Sequence, residues 1–211
     1  MQHKQLLSFA LPKGRLAEET VKLFIERGIC SSGVVDFSSR KLIFEDEAAN
    51  MRFLIVRNSD VPTYVERGAA DFGVVGKDVL EETGLPLYEF YDFGFGKCRM
   101  SVAAPKSTHT HYWHNMRIAT KYPAIAKRHF AGLGIFIEVI KLYGSIEIAP
   151  LTGLADYIVD LVESGETMRK NGLEEVEVIM QASARLVANQ SLVRAKHERV
   201  KAVLAMLEQG K

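Results

Sequence analysis

The chain has 211 residues, of which 47% are hydrophobic and 25% are charged, and its formal net charge at pH 7 is +1. This balance is ordinary for a globular protein and excludes a broad nucleic-acid-binding surface, and no apolar run is long enough to span a bilayer. The two cysteines, Cys30 and Cys98, form neither a disulfide framework nor a metal pattern, and the first residues lack the apolar core of a signal peptide. We therefore expect a cytoplasmic protein with reduced thiols that binds neither nucleic acid nor membrane.

The first half of the sequence alternates between strand and helix patterns. Continuous apolar runs predict strands, and apolar residues that recur every three to four positions predict helices. The predicted order is a strand over 6–11, a helix over 16–27, a strand over 51–56, a helix over 60–68, a strand over 72–75 and a helix that opens at 76–78. This alternation favours an α/β fold with parallel strands.

The second half repeats parts of the first. A strand over 116–120, a helix over about 122–133 and a strand that starts after Gly134 follow the opening pattern. Gly153 and Asp156 also follow Gly68 and Asp71 at a constant offset of 85 positions, with an alanine, an aromatic residue and a valine at matching places. The repetition predicts two related α/β lobes and gives both aspartates the same position, at the entrance of a strand.

The C-terminal part is expected to return to the first lobe. Residues 178–188 predict one or two strands interrupted around Ser183, and Ser191 is a candidate N-cap of a terminal helix. The apolar face of that helix would consist of Val193, Val200, Leu204 and Leu207. The predicted domains are a discontinuous lobe I, 1–93 plus 179–211, and a lobe II, 94–178, with Gly94 and Gly96 as a candidate hinge.

Polar residues follow several of the predicted strands. Ligands of open parallel sheets bind beyond the carboxyl ends of the strands. The residues at those ends are Lys13-Gly14-Arg15, Lys77-Asp78, Lys121 and the segment from Asp160 to Thr167. We therefore expect a ligand cleft between the two lobes, lined by these residues.

The segment from Asp160 to Thr167 is the most specific of these signals. Asp160 interrupts the apolar run 157–162, and a carboxylate buried there needs partners, which two ribose hydroxyls would supply. The following turn, Ser164-Gly165-Glu166-Thr167, can offer hydroxyls and backbone N–H groups to a phosphate, because its glycine tolerates positive φ. A helix starting near Thr167 would add a favourable dipole. The structural alternative is that Asp160 caps the turn and that the turn only starts a helix.

Cations near the first strand would suit a diphosphate. Lys13 and Arg15 flank Gly14, and an arginine can bind two phosphate oxygens at once. Arg40, beside Lys41, is a further candidate ligand of pyrophosphate. Each of these cations could instead be an ordinary solvated residue, and Asp78 could be either a ligand or an acid in the first turn of a helix.

Three histidines, His109, His111 and His114, lie close together in the sequence. No second group of ligands follows at the spacing of a metal site. We interpret this segment as a surface loop.

Several motifs, in the same order, resemble the catalytic subunit of the ATP phosphoribosyltransferase family. They are Leu11-Pro-Lys-Gly-Arg15, Ser39-Arg-Lys-Leu42, Asp71-Phe-Gly-Val-Val-Gly-Lys-Asp78 and Met116-Arg-Ile-Ala-Thr120. The most specific match places Glu147 six residues before Gly153, followed by Asp160 and the Ser-Gly-x-Thr turn. The resemblance extends over nearly the whole chain.

The resemblance implies a two-lobed fold like that of the type II periplasmic binding proteins. It implies that N1 of ATP attacks C1′ of 5-phosphoribosyl diphosphate, giving phosphoribosyl-ATP and pyrophosphate in the first step of histidine biosynthesis. Mg²⁺ would travel with the diphosphate. Because the chain resembles the short form of the family, the resemblance also implies a separate regulatory subunit similar to histidyl-tRNA synthetase, typically in a hetero-octamer.

The family motifs give each matching residue an expected role. The expected catalytic residues are Lys13, Arg15, Arg40, Glu147 and Asp160. Phosphoribosyl diphosphate would be bound by Asp160, Ser164, Gly165, Glu166 and Thr167. ATP would contact Gly14, Arg15 and Asp78. No protein residue is assigned to metal, and Glu147 and Asp78 could each serve the ribose, the water shell of magnesium or the adenine.

Two alternative functions compete with this hypothesis. A non-catalytic solute-binding protein could share the two-lobed shape, although the phosphate-suited turn disfavours it. A phosphoribosyltransferase that acts on another base could share the Asp160 segment, although the matches at Lys13-Gly14-Arg15 and Glu147 disfavour it.

Overall fold

The computed structural model describes residues 6–106, 108, 111–189, 191 and 197–209. The chain divides into two compact units, of which the first runs to Gly96 and resumes at Ser183, and the second is Lys97–Ala182. The boundaries expected from the sequence, 93/94 and 178/179, lie a few residues before these positions. The second boundary falls later because one long strand of the second unit continues to Ala182.

The described residues form the following elements, in chain order. The strands are β1 (Leu7–Pro12), β2 (Ile43–Asp46), β3 (Met51–Val56), β4 (Phe72–Gly76), β5 (Tyr88–Asp92), β6 (Cys98–Pro105), β7 (Met116–Thr120), β8 (Ile137–Lys141), β9 (Tyr157–Val162), β10 (Leu173–Ala182) and β11 (Ala184–Ala188). The helices are α1 (Arg15–Glu26), α2 (Val61–Glu66), α3 (Lys77–Thr83), α4 (Pro123–Gly132), α5 (Ile148–Leu151), α6 (Glu166–Lys170) and α7 (His197–Glu208), and a 3₁₀ turn (Asn58–Asp60) precedes α2. None of the described helices is long and apolar enough to cross a membrane.

The first unit is built on a sheet with the strand order β2-β3-β1-β4-β11-β5. Strand β1 is parallel to β3 and β4, so the carboxyl ends of these three strands meet at one edge. Its side chains alternate between two cores: Phe9 packs with Phe24 of α1 and Phe72 of β4, whereas Ala10 packs on the opposite face with Val61 and Val65 of α2. Helices on both faces bury this parallel part of the sheet, which explains its continuous apolar runs.

The C-terminal segment packs in the first unit. Strand β11 lies antiparallel between β4 and β5. The break before it is at Ser183, whose hydroxyl donates a hydrogen bond of 2.8 Å to Asp92. In α7, Val200 and Leu207 are buried in the main core and Leu204 packs against it, whereas Val193 lies outside the described residues.

The second unit is built on a sheet with the strand order β10-β6-β9-β7-β8. Strand β7 is parallel to β8 and β9, and β6 runs antiparallel to both β9 and β10. One face packs against α4 through Ile125 and Phe130. The other face packs against the segments around α5 and α6, through Ala149 and Met168.

The two aspartates of the sequence repeat make equivalent contacts in the two units. Asp71 precedes β4 and accepts hydrogen bonds from the backbone N–H and the hydroxyl of Ser8 in β1, at 2.8 and 3.0 Å. Asp156 precedes β9 and accepts a bond of 2.7 Å from the backbone N–H of Arg117 in β7. The Arg117 guanidinium lies 2.8 Å from the same carboxylate and holds the pKa of Asp156 below its usual value. Both aspartates therefore lie at the entrance of a strand, as the repeat predicts, and each fastens that strand to its parallel neighbour.

Candidate active site

The strongest candidate site is a cradle in the second unit, which we define as Asp160, Glu147 and the turn 164–167. Its turn lines a cavity of about 230 Å³. The residues around that cavity are Glu147, Leu161, Val162, Glu163, Ser164, Gly165, Glu166, Thr167 and Met168. The cavity thus brings Glu147, from the start of α5, to the turn that follows β9.

The turn is shaped by its glycine and anchored by buried apolar neighbours. Gly165 adopts φ 73°, in the left-handed region that favours glycine. The hydroxyl of Ser164 accepts a hydrogen bond of 3.3 Å from the backbone N–H of Glu166. Met168 is buried in the core on one face of the sheet and so anchors the end of the turn. Helix α6 has five residues, so its macrodipole adds little.

Asp160 lies at the end of β9 in a place that disfavours its charge. Burial, together with a smaller effect of the nearby Glu147 carboxylate, raises its pKa from 3.8 to about 6. Two groups act in the opposite direction: the backbone N–H of Leu161 donates a hydrogen bond of 2.8 Å, and Lys121 contributes positive charge. A partly buried carboxylate whose charge is disfavoured in this way suits a site that receives hydroxyl donors from a ligand.

Arg169 is a cation at the cradle that sequence reasoning missed. A Cβ atom added to Gly165 would lie 3.0 Å from its guanidinium, so the Arg169 side chain covers the turn. The available signal was its position four residues after Gly165, because residues four apart share one face of a helix.

A second candidate, the basic cavity, lies in the first unit. Its volume is about 370 Å³. Its lining consists of Lys13, Gly14, Glu18, Asp36, Phe37, Ser38, Ser39, Arg40, Lys41, Leu42, Phe44 and Ile55. The structure therefore brings Lys13, at the end of β1, together with two adjacent cations from the segment before β2, Arg40 and Lys41.

Local hydrogen bonds shape the walls of the basic cavity. Asp36 accepts bonds from the backbone N–H and the hydroxyl of Ser38, at 2.9 and 2.6 Å, and the Ser39 hydroxyl accepts one of 3.0 Å from the N–H of Lys41. These bonds fold the chain into a turn that presents Arg40. On the other side, the N–H of Lys13 donates a bond of 2.8 Å to Val56, which ties the end of β1 to β3.

Gly14 and Arg15 form the turn between β1 and α1. Gly14 has φ 105° and ψ −155°, a conformation open to glycine and strained for other residues. Arg15 is exposed, lies outside the lining of the basic cavity and has its guanidinium 3.8 Å from Glu19 one turn later. Its expected contacts with the substrates stay a prediction.

The residues after β4 are engaged within the fold. Asp78 is only 4% exposed and lies against Gly76, where an added Cβ atom would come within 2.1 Å of its carboxylate. This placement favours the alternative that Asp78 is an acid in the first turn of α3. Lys77 forms ion pairs with Glu81 and Glu89.

Within the described ranges, no group of three or more His, Cys, Asp and Glu side chains is arranged to hold a metal ion. His114 accepts a hydrogen bond of 3.4 Å from the backbone N–H of Phe136, and its ring lies 5.8 Å from that of Phe136. His109 lies outside the described residues.

Comparison with known families gives one consistent match. The family model described as HisG: ATP phosphoribosyltransferase matches residues 57–209. The ATP phosphoribosyltransferase of Geobacter metallireducens is 50% identical over 206 residues, which cover 96% of this chain and 97% of that protein. The ATP phosphoribosyltransferase of Citrifermentans bemidjiense is 49% identical over 208 residues, with the same coverage.

Solved structures that share this fold include an enzyme complex and a periplasmic binding protein. The ATP phosphoribosyl transferase (HisG:HisZ) complex from Thermotoga maritima contains a chain with a TM-score of 0.85 and 33% identity, and the match covers 97% of this chain and 98% of that chain. The periplasmic aliphatic sulphonate binding protein SsuA from Escherichia coli has a TM-score of 0.60 at 10% identity and covers 97% of this chain and 72% of that one. The second likeness shows the fold alone, and it confirms the predicted α/β architecture of the type II periplasmic binding proteins.

Proposed function

Because this chain belongs to the ATP phosphoribosyltransferase family, we propose that the cradle binds the phosphoribosyl group of 5-phosphoribosyl diphosphate and that the basic cavity binds phosphate groups. The family reaction joins C1′ of that group to N1 of ATP, gives phosphoribosyl-ATP and pyrophosphate, and is the first step of histidine biosynthesis. One observation carries the assignment of the cradle: a partly buried carboxylate, Asp160, lies near the end of a strand, shortly before a glycine-containing turn around a cavity.

Asp160 is proposed to accept hydrogen bonds from the two ribose hydroxyls. Its pKa of about 6 leaves most of the carboxylate ionised at pH 7 and above. Two hydroxyl donors would replace the water that burial removes, so binding relieves an unfavourable electrostatic environment. The 5-phosphate is proposed to bind to the turn of Ser164, Gly165, Glu166 and Thr167, which lines the cavity. Arg169, whose guanidinium lies beside Gly165, would add positive charge.

The chemistry requires orientation and charge stabilisation rather than a covalent nucleophile. Positive charge develops at C1′ as the bond to the diphosphate breaks, and negative charge develops on the departing pyrophosphate. Carboxylates of the cradle, Asp160 and Glu147, would stabilise the first charge. Lys13, Arg15 and Arg40 would stabilise the second, because arginine and lysine bind phosphate oxygens with charged hydrogen bonds. Adenine N1 attacks with its own lone pair and needs no general base.

Magnesium is proposed to arrive with the diphosphate as part of the substrate, and Glu147 is a candidate to contact its water shell, the ribose or the adenine. ATP is proposed to contact Gly14 and Arg15, with Asp78 assigned to the fold because of its burial. The Thermotoga complex supports a separate HisZ-like regulatory subunit as partner of this chain. Assembly as a hetero-octamer and a cytoplasmic location stay predictions.

A direct assay tests the function. The purified chain is mixed with ATP, 5-phosphoribosyl diphosphate and Mg²⁺, with and without a HisZ-like subunit, and both pyrophosphate and phosphoribosyl-ATP are measured. We expect both products in equal amounts. Folded protein that forms neither product in either mixture would refute the proposal, and ligand binding without release of pyrophosphate would favour a solute-binding protein.

Substitution of the base tests the other alternative. We expect product with ATP and none with other free bases or nucleotides at the same concentration. A faster reaction with another acceptor would identify a different phosphoribosyltransferase.

A further inference from the structure

Three charged side chains gather where β9 ends: Asp160, Glu147 and Lys121. Strands β7 and β9 are parallel, and the last pair in register is Thr120 with Val159. The Thr120 hydroxyl donates a hydrogen bond of 2.6 Å to the carbonyl of Val159, which fixes this register at the strand ends. Lys121 therefore follows β7 at the level where Asp160 follows Val159.

Lys121 and Asp160 also emerge on the same face of the sheet. Side chains alternate along a strand, and residues paired in register share a face. Ala119 of β7 and Ile158 of β9 belong to one buried cluster, so the residues two positions later, Lys121 and Asp160, continue on that face. Ala149 of α5 belongs to the same cluster, and this places Glu147, just before α5, beside them.

We propose that Lys121 is a positioning residue that keeps the Asp160 carboxylate ionised and directed at the ribose hydroxyls of the substrate. This inference rests on the proposed function, because the substrate it names is the one assigned to the cradle. Burial and Glu147 favour protonation of Asp160, and Lys121 is the cation whose charge lowers its pKa. Without Lys121, a smaller fraction of the enzyme would carry the hydrogen-bond acceptor that the ribose requires.

Among the described residues, several other charged groups around β9 have partners of their own. On β6 the register partner of Asp160 is the uncharged Ser101, and the next cation on that strand, Arg99, is paired with Glu175 at 2.6 Å. On α6, Glu166 is paired with Lys170 at 2.8 Å. Arg169 covers Gly165 and so serves the turn.

Lys141 offers a matched control. It ends β8, and its register partner is Thr120, so it lies on the side of β7 away from β9. Both lysines are exposed and rest over the ring of a nearby tyrosine, at 5.8 Å for Lys121 over Tyr122 and 5.5 Å for Lys141 over Tyr143. Replacing either lysine by methionine removes one exposed charge from the end of a strand, but only Lys121 neighbours Asp160.

The experiment measures kcat/KM for 5-phosphoribosyl diphosphate between pH 5 and 9 in the wild type, Lys121→Met, Lys121→Arg and Lys141→Met. A cation about 6 Å away through a solvent-like dielectric moves a pKa by about 0.5. We therefore expect the acid limb of Lys121→Met to move up by about half a pH unit, with about a threefold loss of kcat/KM below its midpoint. Lys121→Arg and Lys141→Met should keep the wild-type midpoint.

A second readout does not depend on activity. The carboxyl ¹³C resonance of Asp160, assigned by its disappearance in Asp160→Asn, is titrated in the free proteins, and its midpoint should rise in Lys121→Met only. An unmoved Asp160 titration in Lys121→Met would overturn this inference whether or not the wild type is active. A uniform loss of kcat/KM at every pH would also overturn it and would assign Lys121 a direct contact with the substrate. Absence of product with the wild type would instead refute the proposed function.

Discussion

Replacement of Asp160 by asparagine is expected to lower activity and, at the same time, to stabilise the protein at neutral and alkaline pH. The folded chain holds an ionised carboxylate where burial and Glu147 raise its pKa from 3.8 to about 6. Asparagine has the same size, and its carbonyl oxygen can accept the hydrogen bond of 2.8 Å from the N–H of Leu161. The substitution therefore removes an unfavourable charge without removing the local hydrogen bond.

The size and pH dependence of this stabilisation follow from the two pKa values. A raised pKa means that the folded state binds the proton more tightly than the unfolded state, so this contribution to stability is complete below pH 3.8 and is lost as pH rises through about 6. The displacement of the Asp160 pKa lowers the free energy of unfolding of the wild type by at most about 3 kcal/mol at pH 8, and by about half of that at pH 5. Asparagine does not titrate, so the free energy of unfolding of Asp160→Asn should exceed that of the wild type by these amounts.

Urea unfolding of the wild type and Asp160→Asn at pH 5 and pH 8 measures the difference in free energy of unfolding. The same proteins should differ in the opposite direction in kcat/KM at pH 8, where loss of a charged acceptor costs about 1.5–3 kcal/mol, or roughly a 10- to 150-fold reduction. A variant that is less stable than the wild type at pH 8, or whose gain is the same at both pH values, would refute the electrostatic reasoning. Unchanged kinetics would refute the ribose assignment.

Three further substitutions separate binding from folding. Asp156→Asn, the same change four residues earlier, should destabilise the chain by about 2 kcal/mol at pH 8, with normal specific activity, because its carboxylate fastens β9 to Arg117. The wild type should lose the stabilisation by the ionised Asp156 carboxylate as pH falls through the lowered pKa of Asp156. Urea unfolding at several pH values checks both statements, and a variant more stable than the wild type at pH 8 would contradict them. Arg40→Ala should reduce kcat/KM by about tenfold or more, whereas the free energy of unfolding should change by less than about 0.5 kcal/mol, because the side chain is exposed at the basic cavity. Normal activity with a large loss of stability would indicate a structural role. Gly165→Ala should lower the free energy of unfolding by about 1–2 kcal/mol, because alanine is strained at the positive φ of this position. The added methyl group should also displace the Arg169 guanidinium, so that KM for 5-phosphoribosyl diphosphate rises. An unchanged KM in steady-state kinetics would exclude the turn from phosphate binding.

The sequence predicted the repeating strands and helices well where local patterns were strong. Residues 51–56 and 116–120 are strands with the predicted bounds, because each is a short apolar run closed by polar residues. Strands β2 and β5 lie at the edges of their sheet and carry many exposed residues, so the apolar pattern of the sequence does not fix their bounds. Strand β10 begins earlier than predicted, because its pairing with β6 includes the charged segment Glu174–Glu177.

The cradle was largely visible in the sequence, because Asp160 and the turn that follows it are contiguous and their spacing carries the chemistry. The repeat, too, distinguished Asp156 from Asp160 without coordinates. The electrostatic state of Asp160 was decided only by the tertiary structure, since Lys121 and Glu147 reach it through strand register and the packing of α5. The burial of the Asp78 side chain could likewise not be predicted from the sequence. A linear sequence specifies which groups are available and how neighbours fold, whereas the charge that each group feels depends on residues distant in the chain and close in space.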